Sequence, residues 1–330
     1  MKAVIITKPG GPEVLEIQAR PVPAPRSGQL LVRVHASALN RADLLQREGH
    51  YPAPAGSPAD IPGMEFAGEI AEIGDGVSRW RVGDRVFGIV GGGANAEYLI
   101  ADAESVAQIP DNLSWVEAAA IPEAFITAYD ALVTQAGVAT GETVLIHAVG
   151  SGVGLAVTQV ARAWQAIPYG TARTADKIER ARAYGLEDGL VVGDDVEIIG
   201  RLTGGRGVDV TIDLVGGAYL PASIRAAAPR GRIMLVGTLA GREAKIPLGL
   251  ILGKRLTLRG TVLRSRSVEE KRLVTAAFER DVVPLFASEV LRPVIDSTFA
   301  LADIGQAHVA LAGNKTFGKV VLRVSSESPA

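Results

Sequence analysis

Residues Thr143–Gly154 read TVLIHAVGSGVG: four strand-forming residues, a loop of small side chains, and the opening of the amphipathic run VGLAVTQVARAW (Val153–Trp164). Buried strand, glycine-rich turn and helix, in that order, make the phosphate-binding corner of an open α/β sheet. Small side chains let the backbone approach a pyrophosphate, whose charge then meets amide N–H groups at the positive end of a helix dipole. Two registers fit the loop. Gly150 and Gly152 satisfy G-x-G, but the third glycine place then falls on Leu155; Ala148, Ser151 and Gly154 satisfy an A-x-x-G-x-x-G variant with serine as its middle member. The plain alternative is a tight turn with no ligand. His147, alone at the strand end, reads as a packed or hydrogen-bonded core histidine rather than a catalyst.

Downstream the grammar repeats. The strand AIPYGT (Ala166–Thr171), the helix ADKIERARAYG (Ala175–Gly185), then LVV, VDVTIDLV, RIMLVG and LTLRGTVL (Leu256–Leu263) follow at the intervals of βαβ units, which implies a doubly wound parallel sheet. Upstream it differs. From Met1 to Ile121 the runs KAVIIT, VLEIQA, QLLVRVHASAL, EFAGEIAEI, DRVFGIV and AEYLIA are punctuated by PGGP, PVPAPRSG, GDG and GGGAN, as in a compact β-barrel. After the helical segment VEEKRLVTAAFE the chain ends in the strand GKVVLRV, which has no place in a completed parallel sheet and is assigned back to the barrel. The tail SSESPA is polar. The expected domains are 1–121 with 265–330, and 122–264.

Composition narrows the function. In 330 residues, 48% hydrophobic and 21% charged, Lys+Arg number 34 against Asp+Glu 36, so no net field draws the chain to nucleic acid or an anionic membrane. Small molecules are the expected partners. No apolar run approaches the ~20 residues that span a bilayer, and Val4–Thr7 is too short for a secretory signal core, so the cytoplasm is the expected compartment. Cysteine is absent and histidines number four, which removes thiolate chemistry and makes imidazole metal sites improbable.

Cofactor choice is written about 20 residues beyond the glycine loop, where a carboxylate selects the ribose 2′-hydroxyl of NAD and a cation accepts the 2′-phosphate of NADP. Here that strand ends in Thr171-Ala172-Arg173-Thr174. Arg173 and Lys177 can both reach a phosphate, with the Thr174 hydroxyl adding a donor. The alternative is that both cations are merely solvated and Asp176 reaches back to the ribose. Asp176 lies inside the helix rather than at the strand tip, which favours NADPH.

The segments HASALNRADLLQREGHYPAP, IPGMEFAGEI, RVGDRVFGI, AAAIPEAFITAYDAL and HAVGSGVG together resemble the zinc-free quinone oxidoreductases of the medium-chain dehydrogenase/reductase family, nearly end to end. LNRADLLQR, IPEA, SGVG and the Leu-Arg-Ser-Arg of Leu263–Arg266 are similar to its stress-inducible NADPH:quinone reductase subgroup. The resemblance implies a GroES-like β-barrel catalytic domain, an inserted Rossmann domain binding NADPH, and a cleft between them. It carries Asn40 and Tyr51 to the nicotinamide, Thr127 and Ser151, Gly152, Val153 and Gly154 to the centre of the cofactor, and Arg173, Thr174 and Lys177 to the 2′-phosphate. Gly237, Leu263, Ser265 and Arg266 would close over it from the far side. Gly49–Pro52 departs from the family's Gly-Tyr-Pro by reading Gly-His-Tyr-Pro, and LVV lacks an aromatic for the adenine end.

In zinc-dependent relatives the stretch Gly63-Met64-Glu65 would read Gly-His-Glu, with a cysteine upstream and another ligand downstream. Asn40, Met64, Glu65 and Glu123 stand in those neighbourhoods here and do not compose a tetrahedral zinc site, so no zinc is expected. Met64 reads as an apolar gap-filler, and Glu65 as a buried acid satisfied by backbone or an Arg. Without a metal to stabilise alkoxide, hydride delivery to a quinone or an α,β-unsaturated carbonyl is the expected chemistry. Tyr51 is the candidate hydroxyl near the substrate oxygen and Asn40 an orienting amide, although both could be structural contacts to the nicotinamide. An enoyl thioester reductase and a non-enzymatic, crystallin-like NADPH-binding protein are the competing readings. The apolar run Leu256–Leu263, placed at a sheet edge and paired across a two-fold in related reductases, implies a homodimer.

Overall fold

The computed structural model describes residues 1–192 and 203–324. The chain divides into two compact units, Met1–Ile126 with the chain from Leu263 onward, and Thr127–Val262.

In chain order the first unit contributes β1 (Lys2–Ile6), β2 (Leu15–Ala19), β3 (Gln29–Leu39), β4 (Glu65–Ile73), β5 (Arg85–Ile89), β6 (Tyr98–Asp102) and β7 (Val106–Gln108). The second unit holds β8 (Thr143–Ile146), β9 (Ile167–Ala172), β10 (Asp188–Val191), β11 (Val208–Asp213), β12 (Ala227–Leu235) and β13 (Thr257–Gly260). The chain returns to the first unit with β14 (Ile295–Ala300) and β15 (Lys319–Arg323).

In the first unit β1 and β2 form an antiparallel hairpin, and the main sheet runs β14-β15-β3-β4-β5-β7 with β6 also paired to β3. Leu30, Val32, Val34, Phe66, Ile70, Val86, Leu99 and Val106 fill its interior beneath Trp80. A second cluster joins Leu39, Val320 and Leu322 to Ile304, Ala307 and Leu311 of the helix Ile304–Ala312. β15 pairs antiparallel with β3, Val320 opposite Leu39, so its first residue, Lys319, arrives beside Asn40. The turn into β15 depends on Gly318. Its φ is +101°, and a Cβ there would fall 2.3 Å from the Val294 carbonyl oxygen.

The second unit is a wholly parallel sheet in the order β10-β9-β8-β11-β12-β13. Strand order reverses between β8 and β11, so their carboxyl ends flank the crevice where such sheets bind ligands. The helices Gly152–Ala163 and Ala175–Arg182 follow β8 and β9. Three turns of different pitch carry the chain from one unit into the other: Pro122–Ile126 (π), Thr127–Tyr129 (α) and Asp130–Gln135 (π).

One expected element is shorter than its sequence suggests. The run Leu256–Leu263 forms a strand only over Thr257–Gly260. β12 ends at Leu235, which pairs with Gly260, so no strand remains to receive Val262 and Leu263. Leu256 packs instead against the Leu220, Ile224, Ile233 cluster.

The loop after β8 is held by Ala148, a non-glycine residue at φ +55°. At Gly154 a Cβ would lie 2.6 Å from the Ala148 carbonyl oxygen and 2.8 Å from Val149 Cα. Close packing of helix on loop explains glycine there. Alanine normally stabilises a helix interior by about 0.5–1 kcal/mol over glycine. Gly154→Ala should do the opposite, costing about 1–3 kcal/mol through overpacking, measured as a lowered midpoint of thermal unfolding.

Candidate active site

A charged cluster is buried in the first unit. β3 ends at Leu39, and the next residue, Asn40, donates its backbone N–H to Asp43 Oδ2 at 2.7 Å and so starts the helix Arg41–Arg47. Glu65 opens β4 with no exposed surface. Its Oε1 accepts from Lys319 Nζ at 2.6 Å and from Asn40 Nδ2 at 2.8 Å, and its Oε2 from the Glu123 backbone N–H at 2.8 Å. Lys319, 5% exposed, also donates to Asn40 Oδ1 at 2.6 Å and to the Leu39 carbonyl at 3.1 Å. Three ammonium protons thus meet three acceptors, the condition under which a buried ion pair is tolerated. Glu65 is satisfied by a lysine and an amide in addition to backbone, rather than by an arginine. Met64, 2% exposed, is packed apolar filling.

Around this pair lie three further groups. Asp43 accepts from the Gly63 N–H at 3.0 Å, and burial pushes its carboxyl up to about 6. Glu123 is pushed up to about 7, first by burial and then by the Glu65 charge. Arg264, 3% exposed, donates to the carbonyls of Gly91 and Tyr51 and to Gln46 Oε1. Its guanidinium sits 5.0 Å from the centre of the Tyr51 ring. Burial raises the Tyr51 phenol above its ordinary value, opposed by Arg264 and reinforced by Glu123. Leu263 is buried, Ser265 exposed and Arg266 half-buried in the same turn.

In the second unit Ser151 caps the helix Gly152–Ala163, its Oγ accepting from the Gly154 N–H at 3.0 Å. The first-turn amides of Gly152 and Val153 have no protein acceptor among the described residues and sit at the positive end of a three-turn helix. That arrangement fits a pyrophosphate. His147 is buried, its ring nitrogens 2.9 Å from Thr171 Oγ1 and 2.9 Å from Ser223 Oγ, which makes it a core histidine. Arg173 and Thr174 are exposed at the tip of β9, Lys177 is half-buried one turn on, and Asp176 pairs with Arg180 at 3.6 Å down the helix. Thr127 is buried in its short helix, and Gly237 follows the end of β12.

Asn40 and Tyr51 therefore meet in one unit with Leu263, Ser265 and Arg266, and the phosphate-side candidates meet in the other. Reading the sequence missed Arg264, Lys319, Asp43 and Gln46. Arg264 had a local signal inside Leu263–Arg266, and Asp43 and Gln46 inside LNRADLLQR; Lys319 had none. The residues at the zinc neighbourhoods do not fit that metal: both Glu65 oxygens are engaged, an ammonium already lies against them, and among the described residues no group of three or more His, Cys, Asp or Glu is placed to hold an ion.

Comparison with known proteins agrees with the architecture. The alcohol dehydrogenase GroES-like domain matches residues 26–111, and the zinc-binding dehydrogenase model residues 152–279. The quinone oxidoreductase of Lama guanicoe is 34% identical over 98% of this chain and 97% of its own. The Escherichia coli quinone oxidoreductase complexed with NADPH superposes with a TM-score of 0.87 at 28% identity, covering 98% of this chain and 100% of that one. A crystal structure of an NAD-dependent alcohol dehydrogenase gives 0.87 at 31% identity, covering 98% and 100%. The chain belongs to the medium-chain dehydrogenase/reductase family, as an oxidoreductase of the quinone oxidoreductase type.

Removing the lysine alone should expose the cost of the buried acid. Lys319→Met is expected to lose about 3–5 kcal/mol in urea unfolding at neutral pH, because Glu65 is left uncompensated. Adding Glu65→Gln should recover a large part of that loss.

Proposed function

We propose that the protein is a zinc-independent reductase that uses NADPH to reduce quinones and reactive α,β-unsaturated carbonyls. The observation that carries the reading is the Lys319–Glu65–Asn40 cluster, where an internal ammonium, not a metal ion, answers the buried acid. Oxidising a simple alcohol requires its proton to leave with the hydride, and the usual device is a metal or an activated base that stabilises alkoxide. A quinone or enone asks for less, since the anion formed on hydride addition is delocalised through conjugation and positioning with a few hydrogen bonds suffices.

NADPH supplies the hydride when bound. The Ser151-capped turn offers the amides of Gly152 and Val153, and the close packing at Gly154 holds them in place. Arg173, Thr174 and Lys177 are assigned to the 2′-phosphate. The engagement of Asp176 with Arg180 supports this over an acid that selects the bare ribose. Asn40, Tyr51, Thr127, Gly237, Leu263, Ser265 and Arg266 are the remaining proposed contacts. Among them Tyr51 offers a hydroxyl, whereas both polar atoms of the Asn40 amide are engaged with Lys319 and Glu65.

Calorimetric titration with NADPH and NADH tests the cofactor. Arg173→Ala and Lys177→Ala should each weaken NADPH by about 1.5–3 kcal/mol, as for bonds to charged groups, and leave NADH unchanged. Equal losses for both nucleotides would refute the assignment. Turnover of quinones after exhaustive chelation tests zinc independence.

We also infer a homodimer formed along β13. All four of its residues are exposed, and Leu248, Leu250 and Leu252 of the helix Leu248–Lys254 add apolar surface. Light scattering at micromolar concentration should give twice the chain mass, and Leu258→Lys should shift it to one. No helix among the described residues is long and apolar enough to cross a membrane, and the cytoplasm is the compartment we propose.

A further inference from the structure

Glu123 is the one acid of the buried cluster that, among the described residues, keeps a buried side-chain oxygen without a hydrogen-bond partner. Its backbone N–H is spent on Glu65, but its carboxyl is not: Oε2 has no exposed surface and no hydrogen-bond partner among the described residues. The residue as a whole is half-buried, so part of it reaches the surface although Oε2 does not. An ionised carboxylate with a bare, dry oxygen is costly, whereas the neutral acid carries an O–H that needs only an acceptor.

The surrounding charges favour the neutral form. Glu65 from β4 and Asp43 from the helix Arg41–Arg47 oppose ionisation. Lys319 from β15 and Arg264 from the turn after Leu263 favour it, yet the donors of Lys319 already lie on Glu65, Asn40 and Leu39, and those of Arg264 on Gly91, Tyr51 and Gln46. Lys271, from the helix Val268–Asp281, is held below its ordinary value by burial and by Arg264. Burial raises the Tyr51 phenol, Arg264 lowers it, and the Glu123 charge lies close enough to raise it. Glu123 Oε2 therefore awaits a partner that the described residues do not supply, with the Tyr51 phenol within its electrostatic reach.

We propose that Glu123 is the proton donor of the reaction, holding a proton in the resting protein and passing it to the oxygen of the acceptor as hydride is delivered, while the Tyr51 hydroxyl hydrogen-bonds and orients that oxygen. This rests on the reading of the protein as a reductase of conjugated carbonyls. As hydride bonds to the acceptor, the cofactor C–H bond breaks and the acceptor gains two electrons. The Glu123 O–H bond breaks and a new O–H bond forms on the acceptor oxygen. Oxidised cofactor, neutral hydroquinone or enol, and a Glu123 carboxylate remain, and the carboxylate takes its next proton from water. A carboxyl raised to about 7 by burial is still substantially protonated near neutrality and is a competent acid there.

Two measurements on the cofactor-free protein come first. In carbon-13 NMR of the glutamate-labelled chain, one side-chain carboxyl should titrate near pH 7, and its signal should vanish in Glu123→Gln. In thermal unfolding, the native state binds a proton that the unfolded state has lost between the ordinary value of 4.5 and about 7, so stability drains as pH rises through that window. Glu123→Gln should therefore gain on wild type between pH 5 and pH 8. If Glu123 titrates near its ordinary value, the proposal falls.

Kinetics with a benzoquinone supply the second arm. Wild-type kcat should fall tenfold per pH unit above about 7, following the fraction of protonated Glu123. Glu123→Gln should lose about 100-fold at pH 6, the lower end of general-acid contributions, and lose the alkaline fall, while keeping its affinity for NADPH. Glu123→Asp should retain part of the rate and the pH-dependent limb. A purely structural Glu123 would lower stability without reshaping the profile. An active wild type whose profile survives Glu123→Gln unchanged overturns the donor assignment alone. A wild type that binds NADPH but reduces no conjugated carbonyl overturns the functional reading and the donor assignment with it.

Discussion

The contact between Lys319 Nζ and Glu65 Oε1, 2.6 Å long and excluded from solvent, is the constraint on which the first unit is organised. Removing both charges from water costs several kcal/mol per ion, so the pair persists only where every remaining donor and acceptor is matched. Asn40, the Leu39 carbonyl and the Glu123 N–H do the matching. Satisfying that requirement brings four segments to one point: the end of β3, the start of β4, the first π-turn at Pro122, and the first residue of the last strand. Gly318 is needed because the chain must reach this point through a conformation that places it against the Val294 carbonyl.

The pair also determines what its neighbours can do. Because Lys319 is fully used, it extends no hydrogen bond to Glu123, whose carboxyl feels the Glu65 and Asp43 charges as well as those of Lys319 and Arg264. Burial, and after it the Glu65 charge, pushes the Glu123 carboxyl toward its neutral form, while Glu65 holds the donors. At the Glu65 position an ammonium lies against the acid and both of its oxygens are engaged, so the electrostatics there are those of an internal ion pair beside a shielded acid.

The second unit solves a different problem with fewer charges. Its parallel sheet reverses order between β8 and β11, and the turn after β8 presents amides rather than side chains. Ala148 takes the left-handed conformation usually left to glycine, while Gly154 permits helix and loop to touch. In the Ala148, Ser151, Gly154 register the first residue turns the chain, the second caps the helix and the third allows close approach.

Local pattern in the sequence was enough to determine the alternation of strands and helices from β8 onward, the strand-rich first unit, and the return of GKVVLRV to it. Hydrophobic period, glycine placement and helix caps act over a few residues and are written where they act. The length of β13 was not so written, because where it stops depends on where its neighbour β12 stops. Nor was the role of Lys319. It contacts Glu65 across 254 positions of chain, and nothing near GKVV distinguishes a lysine that will be 5% exposed from one on the surface. Arg264, Asp43 and Gln46 lie within recognisable motifs, but their burial beside Glu65 and Glu123 is not written in those motifs. Composition and motif decided that this chain would hold a Rossmann-type parallel sheet and a barrel without cysteine; only tertiary packing decided which of its charges would be buried together, since burial and pairing are properties of segments meeting in space.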